Sequence, residues 1–229
     1  MGTFGRPDRR GVCGPRRRTG GSEGAVTAKG PLAHIREHPE INARDLAYIS
    51  EQFPQARRVL DIGAGRGDFV NAARGQGLEA CGLELETDAI ALWSREGIPG
   101  VVGDGLRTPF RDGAFDLVRL KEVIEHVRDP LALVREGRRL LRPGGMLIAH
   151  VPSPYSQFYP VANFWDDYTH VRPFSREGLT RLVVDAGLRV VRIDGYVAGR
   201  NAVEKAVGAV LSRVLPHVYR VVARADAEP

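Results

Sequence analysis

A glycine-rich loop between a predicted strand and a predicted helix is the clearest candidate for a ligand-binding element in this sequence. Residues 59–62 form the end of the strand and run directly into the loop 63–67, which reads Gly-Ala-Gly-Arg-Gly. Glycines at this point let backbone N–H groups approach a ligand closely, at the positive end of a helix dipole. The dinucleotide fingerprint G-x-G-x-x-G would require a third glycine at position 68, but the chain has Asp68 there.

Acidic side chains mark the ends of the first three predicted strands. Asp61 leads into the glycine loop, where an acid suits a ligand with an ammonium group better than it suits a pyrophosphate. Glu84 ends the second strand and could accept hydrogen bonds from both hydroxyls of a ribose. Asp104 follows the third strand and could accept from the exocyclic amine of adenine. Because parallel strands end at one edge of a sheet, these acids predict one crevice, which an ordinary tight turn would not explain.

A second candidate site follows the fourth predicted strand. Glu122, Glu125 and His126 are spaced so that a helix would place them on one face, and His170 lies further along the chain. Two carboxylates and two imidazoles suit a divalent cation such as Mg²⁺ or Mn²⁺, which could bind neighbouring substrate hydroxyls and lower the pKa of one. Two alternatives remain open. The Glu-His pair could serve only capping and packing, or the catalytic set Glu125, His126 and His170 could supply a general base without metal.

Short β-branched segments alternate with helical patterns from residue 57 onward, which is typical of βαβ units and a mostly parallel sheet. Proline and glycines at residues 143–145 end a helix and turn the chain into the next strand. Ser175 is the predicted N-cap of the fifth helix. The predicted strands are residues 58–62, 80–84, 101–102, 115–120, 146–151, 189–193 and 218–223. The predicted helices are residues 41–53, 68–76, 87–96, 130–141 and 175–186.

Two segments break this alternation. Residues 152–173 form a long connection that is rich in aromatic side chains, which predicts a lid or a wall of an acceptor pocket, with an aromatic plug over the core as the alternative. Between the last two strands, apolar residues recur at three- and four-residue steps and predict a helical insertion at about 199–216. We expect its apolar face to pack against the lid or the sheet, and a membrane-surface role is the alternative. The aromatic residues are Tyr155, Phe158, Tyr159, Phe164, Trp165 and Tyr168.

The net charge of +5 comes entirely from residues 1–30, which hold seven basic residues, two acids and eight glycines. The remainder carries 26 basic and 26 acidic groups, so the charge balance does not predict a DNA partner. We expect residues 1–30 to be a disordered tail and residues 31–229 to form one domain. Since no apolar segment is long enough for a secretory signal or a membrane span, we expect a cytoplasmic protein.

Together, residues 59–67, Glu84, Asp104 and the Leu-Arg-Pro-Gly-Gly segment at 141–145 resemble the class I S-adenosylmethionine-dependent methyltransferases, over about residues 40–224. The resemblance implies an α/β, Rossmann-like sheet of seven strands in the order 3-2-1-4-5-7-6, with strand 7 antiparallel and helices on both faces. The helical insertion between strands 6 and 7 departs from the family. The resemblance also implies S-adenosylmethionine as the cofactor, with Asp61, Gly63 and Gly65 at its methionine part, Glu84 at the ribose, Leu85 at one adenine face, and Asp104 and Gly105 at the adenine edge.

The Glu-x-x-Glu-His run with a distant histidine resembles the metal site of small-RNA 2′-O-methyltransferases and is similar to that of ubiquinone-biosynthesis O-methyltransferases. This resemblance implies Glu122, Glu125, His126 and His170 as metal ligands. Residues 164–175 also resemble small-molecule and glycan-pathway methyltransferases of bacteria. We therefore predict O-methylation of a small hydroxylated metabolite, such as a sugar, a glycolipid or a quinol-like ring, either free or lipid-linked. Two alternatives remain: an RNA methyltransferase anchored by the basic tail, and a non-catalytic S-adenosylmethionine-binding module.

Overall fold

The structure, a computed structural model, describes residues 39–159, 163–197, 212 and 214–226 of the 229-residue chain. The predicted disordered tail at 1–30 lies outside these residues. So does the predicted helical insertion at about 199–216, apart from residues 212 and 214–216. Within the described ranges, no helix combines the length and the apolar composition that crossing a membrane requires.

The chain divides into two compact units, the first ending at Phe110 and the second beginning at Arg111. In the first unit the strands are parallel, and the central positions of β1 and β2 are buried, as expected for parallel strands that read as continuous apolar runs. Leu60 lies opposite Cys81, and Leu83 lies opposite Val101. The elements of this unit are α1 Pro39–Gln52, β1 Arg58–Ile62, α2 Asp68–Gly75, β2 Glu79–Glu84, α3 Asp88–Glu96 and β3 Gly100–Val102.

The second unit contains the remaining four strands and carries most of the irregular structure. Its longest strand, β5, pairs in parallel with β4 on one side and antiparallel with β7 on the other. The chain reaches β7 after β6, with which β7 is also antiparallel. The elements are β4 Phe115–Lys121, α4 Pro130–Leu140, β5 Leu141–Pro152, α5 Arg176–Asp185, β6 Leu188–Tyr196, β7 Val218–Ala225 and 3₁₀ helices at Ile124–His126, Pro154–Phe158 and Phe164–Asp166.

The strand order is β3-β2-β1-β4-β5-β7-β6, which confirms the predicted α/β fold class and its antiparallel seventh strand. All seven predicted strands are present, and the five predicted helices are present to within two residues at each end. The predicted N-cap of α5 is also confirmed, because Ser175 Oγ accepts a hydrogen bond from the Gly178 N–H at 3.0 Å.

One strand boundary differs because the predicted turn lies inside β5. Leu141 is opposite Phe115 and Met146 is opposite Leu117, so the residues between Leu141 and Met146 form a bulge. Gly144 adopts a φ of 73°, which favours glycine. The Pro-Gly-Gly segment therefore interrupts the pairing of β5 without ending the strand, which begins five residues earlier than predicted.

Arginines of α4 support the end of α5. Arg138 Nε donates to the carbonyl of Gly187 at 2.8 Å, and Arg135 Nη2 donates to the carbonyl of Asp185 at 3.3 Å. Cations that bond to the last carbonyls of a helix satisfy acceptors that have no partner within the helix. These two basic side chains therefore have a structural use in the fold.

A buried ion pair joins β6 to β7. Arg220 lies directly opposite Asp194, and its Nη2 donates to Asp194 Oδ2 at 2.7 Å, while Arg192 Nε donates to Oδ1 at 2.6 Å. The Arg220 side chain is only 5% exposed. Burial acts to raise the pKa of Asp194, but the hydrogen bonds from Arg220 and Arg192 lower it below its ordinary value.

We expect Asp194→Asn to lower the free energy of unfolding by about 1–3 kcal/mol at pH 7, because it removes the charge that faces a buried guanidinium. A carboxyl group with a lowered folded-state pKa adds stability that is present above its unfolded-state pKa, about 4, and is lost as the pH falls through the folded-state value. The difference between the wild-type and variant chains should therefore shrink in urea unfolding curves taken at successively lower pH.

The control is Asp226→Asn. Asp226 faces Arg189 at 3.6 Å, but both side chains are more than 60% exposed. An exposed pair of this kind contributes about 0–1 kcal/mol. Equal losses for the two variants, or a loss at Asp194 that does not change with pH, would show that the buried pair does not stabilise these strands.

Candidate active site

The glycine loop joins β1 to α2 and is tied to the end of β2. The N–H groups of Gly63 and Ala64 both donate to the carbonyl of Leu83, at 2.8 and 3.2 Å. Gly65 and Gly67 have φ values of 53° and 85°, in the left-handed region that side chains disfavour. The sequence is therefore rich in glycine here because the backbone must turn sharply between strand and helix.

The predicted cofactor-binding residues of the first unit cluster where β1, β2 and β3 end. Glu84 Oε2 accepts from the Gly65 N–H at 2.8 Å, and Oε1 accepts from the Leu85 N–H at 2.8 Å. Asp104 is exposed, and its Oδ1 accepts from the Leu106 N–H at 2.8 Å. The structure thus joins Glu84 directly to the loop and leaves the Leu85 side chain 64% exposed, next to the same carboxylate.

Three further predicted residues complete this region. Asp61 lies in β1 and is 3% exposed, while Gly63 opens the loop with a φ of 71°. Gly105 follows Asp104, and the preceding Gly103 N–H donates to the carbonyl of Glu84 at 2.9 Å. The end of β2 is therefore bonded both to the glycine loop and to the segment that carries Asp104.

Glu122 does not lie on a helix, so it does not share the helical face that its spacing from Glu125 and His126 would give. Glu122 has a φ of 53°, and the 3₁₀ helix begins only at Ile124. The reason is that the Glu122 N–H donates to the carbonyl of His150 at 3.0 Å, which continues the pairing of β4 with β5 past Lys121. The Glu122 carboxylate is bonded to Lys121 Nζ at 2.9 Å.

The other three residues of the predicted metal site do come together. One potential ligand atom from each of Glu125, His126 and His170 lies within 4.8 Å of the other two. Glu125 is fully buried, and neither carboxylate oxygen has a hydrogen-bond partner among the described residues. Its pKa lies well above the ordinary value because burial removes the carboxylate from water, with the nearby Glu122 acting in the same direction.

Hydrogen bonds fix which nitrogen of His170 carries its proton. His170 Nδ1 lies 2.6 Å from the carbonyl oxygen of Phe164, which can only accept, so Nδ1 carries the proton. The Phe164 ring is 2% exposed and stacks on the imidazole with ring centroids 4.6 Å apart. The Nε2 atom of neutral His170 therefore keeps its lone pair.

Hydrogen bonds through Thr169 and Asp167 place the proton of His126 on Nδ1 as well. The Thr169 hydroxyl lies 2.6 Å from Asp167 Oδ1, and a carboxylate can take only the hydroxyl's single proton. Thr169 Oγ1 must then accept from His126 Nδ1–H, at 2.8 Å. In the neutral form, each histidine of the cluster would therefore carry its lone pair on Nε2.

Electrostatics keep His126 neutral and Asp167 charged. Burial lowers the pKa of His126, and the imidazole of His170, with ring centroids 4.6 Å away, lowers it further. Burial acts to raise the pKa of Asp167, but hydrogen bonds from the Thr169 hydroxyl and N–H, with the two histidines, lower it. A neutral imidazole next to a charged carboxylate suits either a metal ligand or a general base.

The aromatic segment presents much of its ring surface to solvent. Phe158, Trp165 and Tyr168 are 72%, 63% and 97% exposed, whereas Phe164 is buried. Tyr159 Oη donates to the carbonyl of Leu215 at 2.5 Å, which ties the segment to the residues that precede β7. The sequence predicts either a lid or pocket wall, or an aromatic plug over the core. Among these four rings, only Phe164 is buried as a plug would be.

Sequence patterns did not single out three residues that shape these sites. Asp167 and Thr169 orient His126 across 43 positions of the chain, and no spacing rule links such distant residues. Trp93, 3% exposed in α3, donates from Nε1 to the carbonyl of Gly65 at 3.1 Å. A buried tryptophan needs a partner for its N–H, but the sequence does not show which carbonyl provides it.

Comparison with known proteins shows a family match. Residues 32–193 match the family described as methyltransferase domain, which covers more than half of the chain. The chain is 33% identical over 122 residues to a ubiquinone biosynthesis O-methyltransferase of Paracidovorax citrulli, covering 49% of this chain and 51% of that protein. It is 35% identical over 101 residues to a norajmaline N-methyltransferase of Rauvolfia serpentina, covering 40% of this chain and 35% of that protein.

The curated relatives are matched over only part of their length, whereas a solved structure is matched over most of its length. The chain spans between about a third and about half of the length of the curated relatives it matches. Among solved structures, an S-adenosylmethionine-dependent methyltransferase from Archaeoglobus fulgidus aligns with a TM-score of 0.65 at 24% identity, covering 81% of this chain and 93% of that one. At this identity the likeness shows the fold.

Neither oxygen of the buried Glu125 carboxylate has a hydrogen-bond partner among the described residues, so we expect this group to destabilise the folded state. We expect Glu125→Gln, measured by urea unfolding with EDTA at pH 7, to raise the free energy of unfolding by about 1 kcal/mol or more, because an amide has no charge to remove from water. Glu177→Gln is the control, since the Glu177 side chain is 80% exposed and pairs with Arg181 on α5. A clear loss of stability in Glu125→Gln would mean that the carboxylate is stabilised where it lies.

Proposed function

The chain belongs to the methyltransferase domain family, within the class I S-adenosylmethionine-dependent methyltransferases, and from this premise we propose that it methylates a hydroxyl group of a small acceptor. The cofactor of this family is S-adenosylmethionine. Transfer to oxygen forms an O–CH₃ bond, breaks the S–CH₃ bond and releases the hydroxyl proton, so the protein must bind the acceptor and provide for that proton.

The observation that carries the proposal is the buried carboxylate of Glu125 beside two imidazoles. A carboxylate without a hydrogen-bond donor among the described residues and two imidazoles whose neutral forms carry the lone pair on Nε2 form a set of three ligands for one cation. The residues therefore fit a divalent ion, and nitrogen ligands suit Mn²⁺ better than Mg²⁺, which prefers oxygen. Such an ion would act as a Lewis acid and lower the pKa of a bound acceptor hydroxyl.

Each surrounding residue then has a defined task. Thr169, held by Asp167, fixes the orientation of His126, and the carbonyl of Phe164 fixes that of His170. Glu122 remains the proposed fourth ligand, although its carboxylate would first have to leave Lys121. Without a metal, the same geometry would let Nε2 of His126 or His170 accept the hydroxyl proton directly, with Glu125 beside them.

The first unit supplies the proposed cofactor contacts. A carboxylate has about four acceptor positions, and Gly65, Leu85 and, more distantly, Glu86 at 3.4 Å use three of those of Glu84. Glu84 can therefore accept from one ribose hydroxyl directly, and from the second if it replaces the long bond from Glu86. The exposed Leu85 side chain offers an apolar surface for one face of the adenine. We assign Asp104 and Gly105 to the adenine edge. Asp61, Gly63 and Gly65 are assigned to the methionine part, where acid suits an ammonium group.

Several features support a small acceptor with a ring or an apolar tail. Exposed aromatic side chains at Phe158, Trp165 and Tyr168 could contact such groups. One relative is an O-methyltransferase of ubiquinone biosynthesis, which supports a hydroxylated and lipid-linked acceptor, whereas the other named relative is an N-methyltransferase. RNA is less well supported, because Arg135 and Arg138 of α4 donate to carbonyls at the end of α5. A cytoplasmic location remains a prediction.

We expect the EDTA-dialysed chain to bind one Mn²⁺ in isothermal titration. Glu125→Gln should weaken this binding at least about 100-fold and Thr169→Val about tenfold, because the first loses a ligand charge and the second an orienting hydrogen bond. Asp185→Asn, in α5, is the control and should bind like the wild-type chain. Methyl transfer to catechol, used as the simplest ring with neighbouring hydroxyls, should stop in EDTA and return with Mn²⁺. Unchanged turnover in EDTA would contradict the metal and favour a histidine base.

The cofactor assignment has its own test in Glu84→Ala. Loss of two hydrogen bonds to a charged acceptor should weaken S-adenosylhomocysteine binding about 10- to 100-fold in isothermal titration. Glu86→Ala is the matched control, since its side chain is exposed two residues further along. No binding by the wild-type chain would refute the cofactor itself, while equal affinity of Glu84→Ala would refute only the role given to Glu84.

A further inference from the structure

Trp93 of α3 and Glu84 of β2 both bind Gly65 of the glycine loop. Its indole Nε1–H donates to the carbonyl of Gly65 at 3.1 Å, while the N–H of Gly65 donates to Glu84 Oε2 at 2.8 Å. Both groups of this one residue are therefore engaged by side chains from different elements. Since the φ of Gly65 is 53° and glycine has little intrinsic preference, these two bonds restrict a backbone that would otherwise be free to move.

The indole lies in a slot that exists because three separate segments have no side chain there. A Cβ on Gly67 would lie 2.9 Å from Nε1, and a Cβ on Gly82 would lie 3.0 Å from Cη2. A Cβ on Gly100 would lie 2.2 Å from Cζ3, closer than any real contact. The loop, β2 and the start of β3 thus all leave room for one buried ring, which fixes the direction of its N–H.

We propose that Trp93 is a positioning residue for the cofactor. A trans peptide is planar, so its carbonyl and its N–H point in opposite directions. When the indole holds the carbonyl of Gly65, the orientation of the peptide plane between Gly65 and Arg66 is fixed. The indole thereby presets the backbone of the loop before the ligand arrives, which reduces the ordering that binding requires. This inference rests on the proposed S-adenosylmethionine-binding function of the loop.

The first test is Trp93→Phe, which keeps an aromatic ring and removes the N–H. We expect its affinity for S-adenosylhomocysteine, measured by isothermal titration on folded protein, to fall about three- to tenfold, as for loss of one hydrogen bond. A role in packing alone would lower the unfolding midpoint and leave the dissociation constant unchanged. Equal affinities of the wild-type chain and Trp93→Phe overturn this inference alone, whereas failure of the wild-type chain to bind overturns the proposed function as well.

A second pair of variants keeps the indole and moves it. Gly100→Ala should push the ring out of its slot and weaken S-adenosylhomocysteine binding, although Gly100 lies in β3 and outside the loop. Gly75→Ala is the matched control, because a Cβ there meets nothing within 4 Å. Weaker binding by Gly100→Ala but not by Gly75→Ala supports the slot, and wild-type affinity in Gly100→Ala overturns it.

Fluorescence provides a readout that depends on Trp93 itself. The chain contains two tryptophans, so in Trp165→Phe the emission comes from Trp93 alone. We expect a blue-shifted emission, as for a buried indole, both before and after S-adenosylhomocysteine is added. Emission at the wavelength of a solvent-exposed indole in the folded, ligand-free protein would show that the ring is not held in the slot, and would overturn the inference.

Discussion

Where a strand ends, the next backbone N–H groups no longer pair with a neighbouring strand and need other acceptors. This requirement explains several hydrogen bonds in the first unit of the chain. A buried N–H without an acceptor costs about as much as a lost hydrogen bond. Here the Glu84 carboxylate accepts from Gly65 and Leu85, and the Asp104 carboxylate accepts from Leu106. The acids that complete the local hydrogen bonding are therefore the same acids that a ligand with hydroxyl and amine donors needs. One set of residues can serve both purposes because a carboxylate has more acceptor positions than the backbone uses.

The second unit contains the opposite case, an acceptor without donors. Asp194 and Glu125 are both poorly exposed carboxylates, but Asp194 is bonded to Arg220 and Arg192, whereas neither oxygen of Glu125 has a partner among the described residues. Folded proteins are stable by only about 5–15 kcal/mol, so a buried charge without a partner is a large fraction of the total. A residue that lowers stability is most simply explained by a function that uses it.

Local patterns in the sequence predicted what depends on local structure. The strands, the Ser175 cap and the glycine loop follow from periodicity, side-chain chemistry and backbone sterics, and all are present. The helical face suggested by the spacing of Glu122, Glu125 and His126 is not formed. The Glu122 N–H pairs with the carbonyl of His150 in a neighbouring strand, and the spacing does not reveal this. The same limit applies to residues joined only by the fold. Thr169 meets His126 across 43 positions, and the slot for Trp93 is formed by glycines from three segments.

The arrangement around His126 also bears on the choice between a metal and a general base. A base needs one imidazole with an available Nε2, and the relay through Thr169 and Asp167 is sufficient to provide it. It does not need a second imidazole whose ring centroid is 4.6 Å away, and His170 lowers the pKa of His126 and so weakens it as a base. Nor does it need the buried carboxylate of Glu125, which has no donor in the part of the chain that the structure describes. A cation would engage both Nε2 lone pairs and neutralise the carboxylate, so it accounts for all three residues where a base accounts for one.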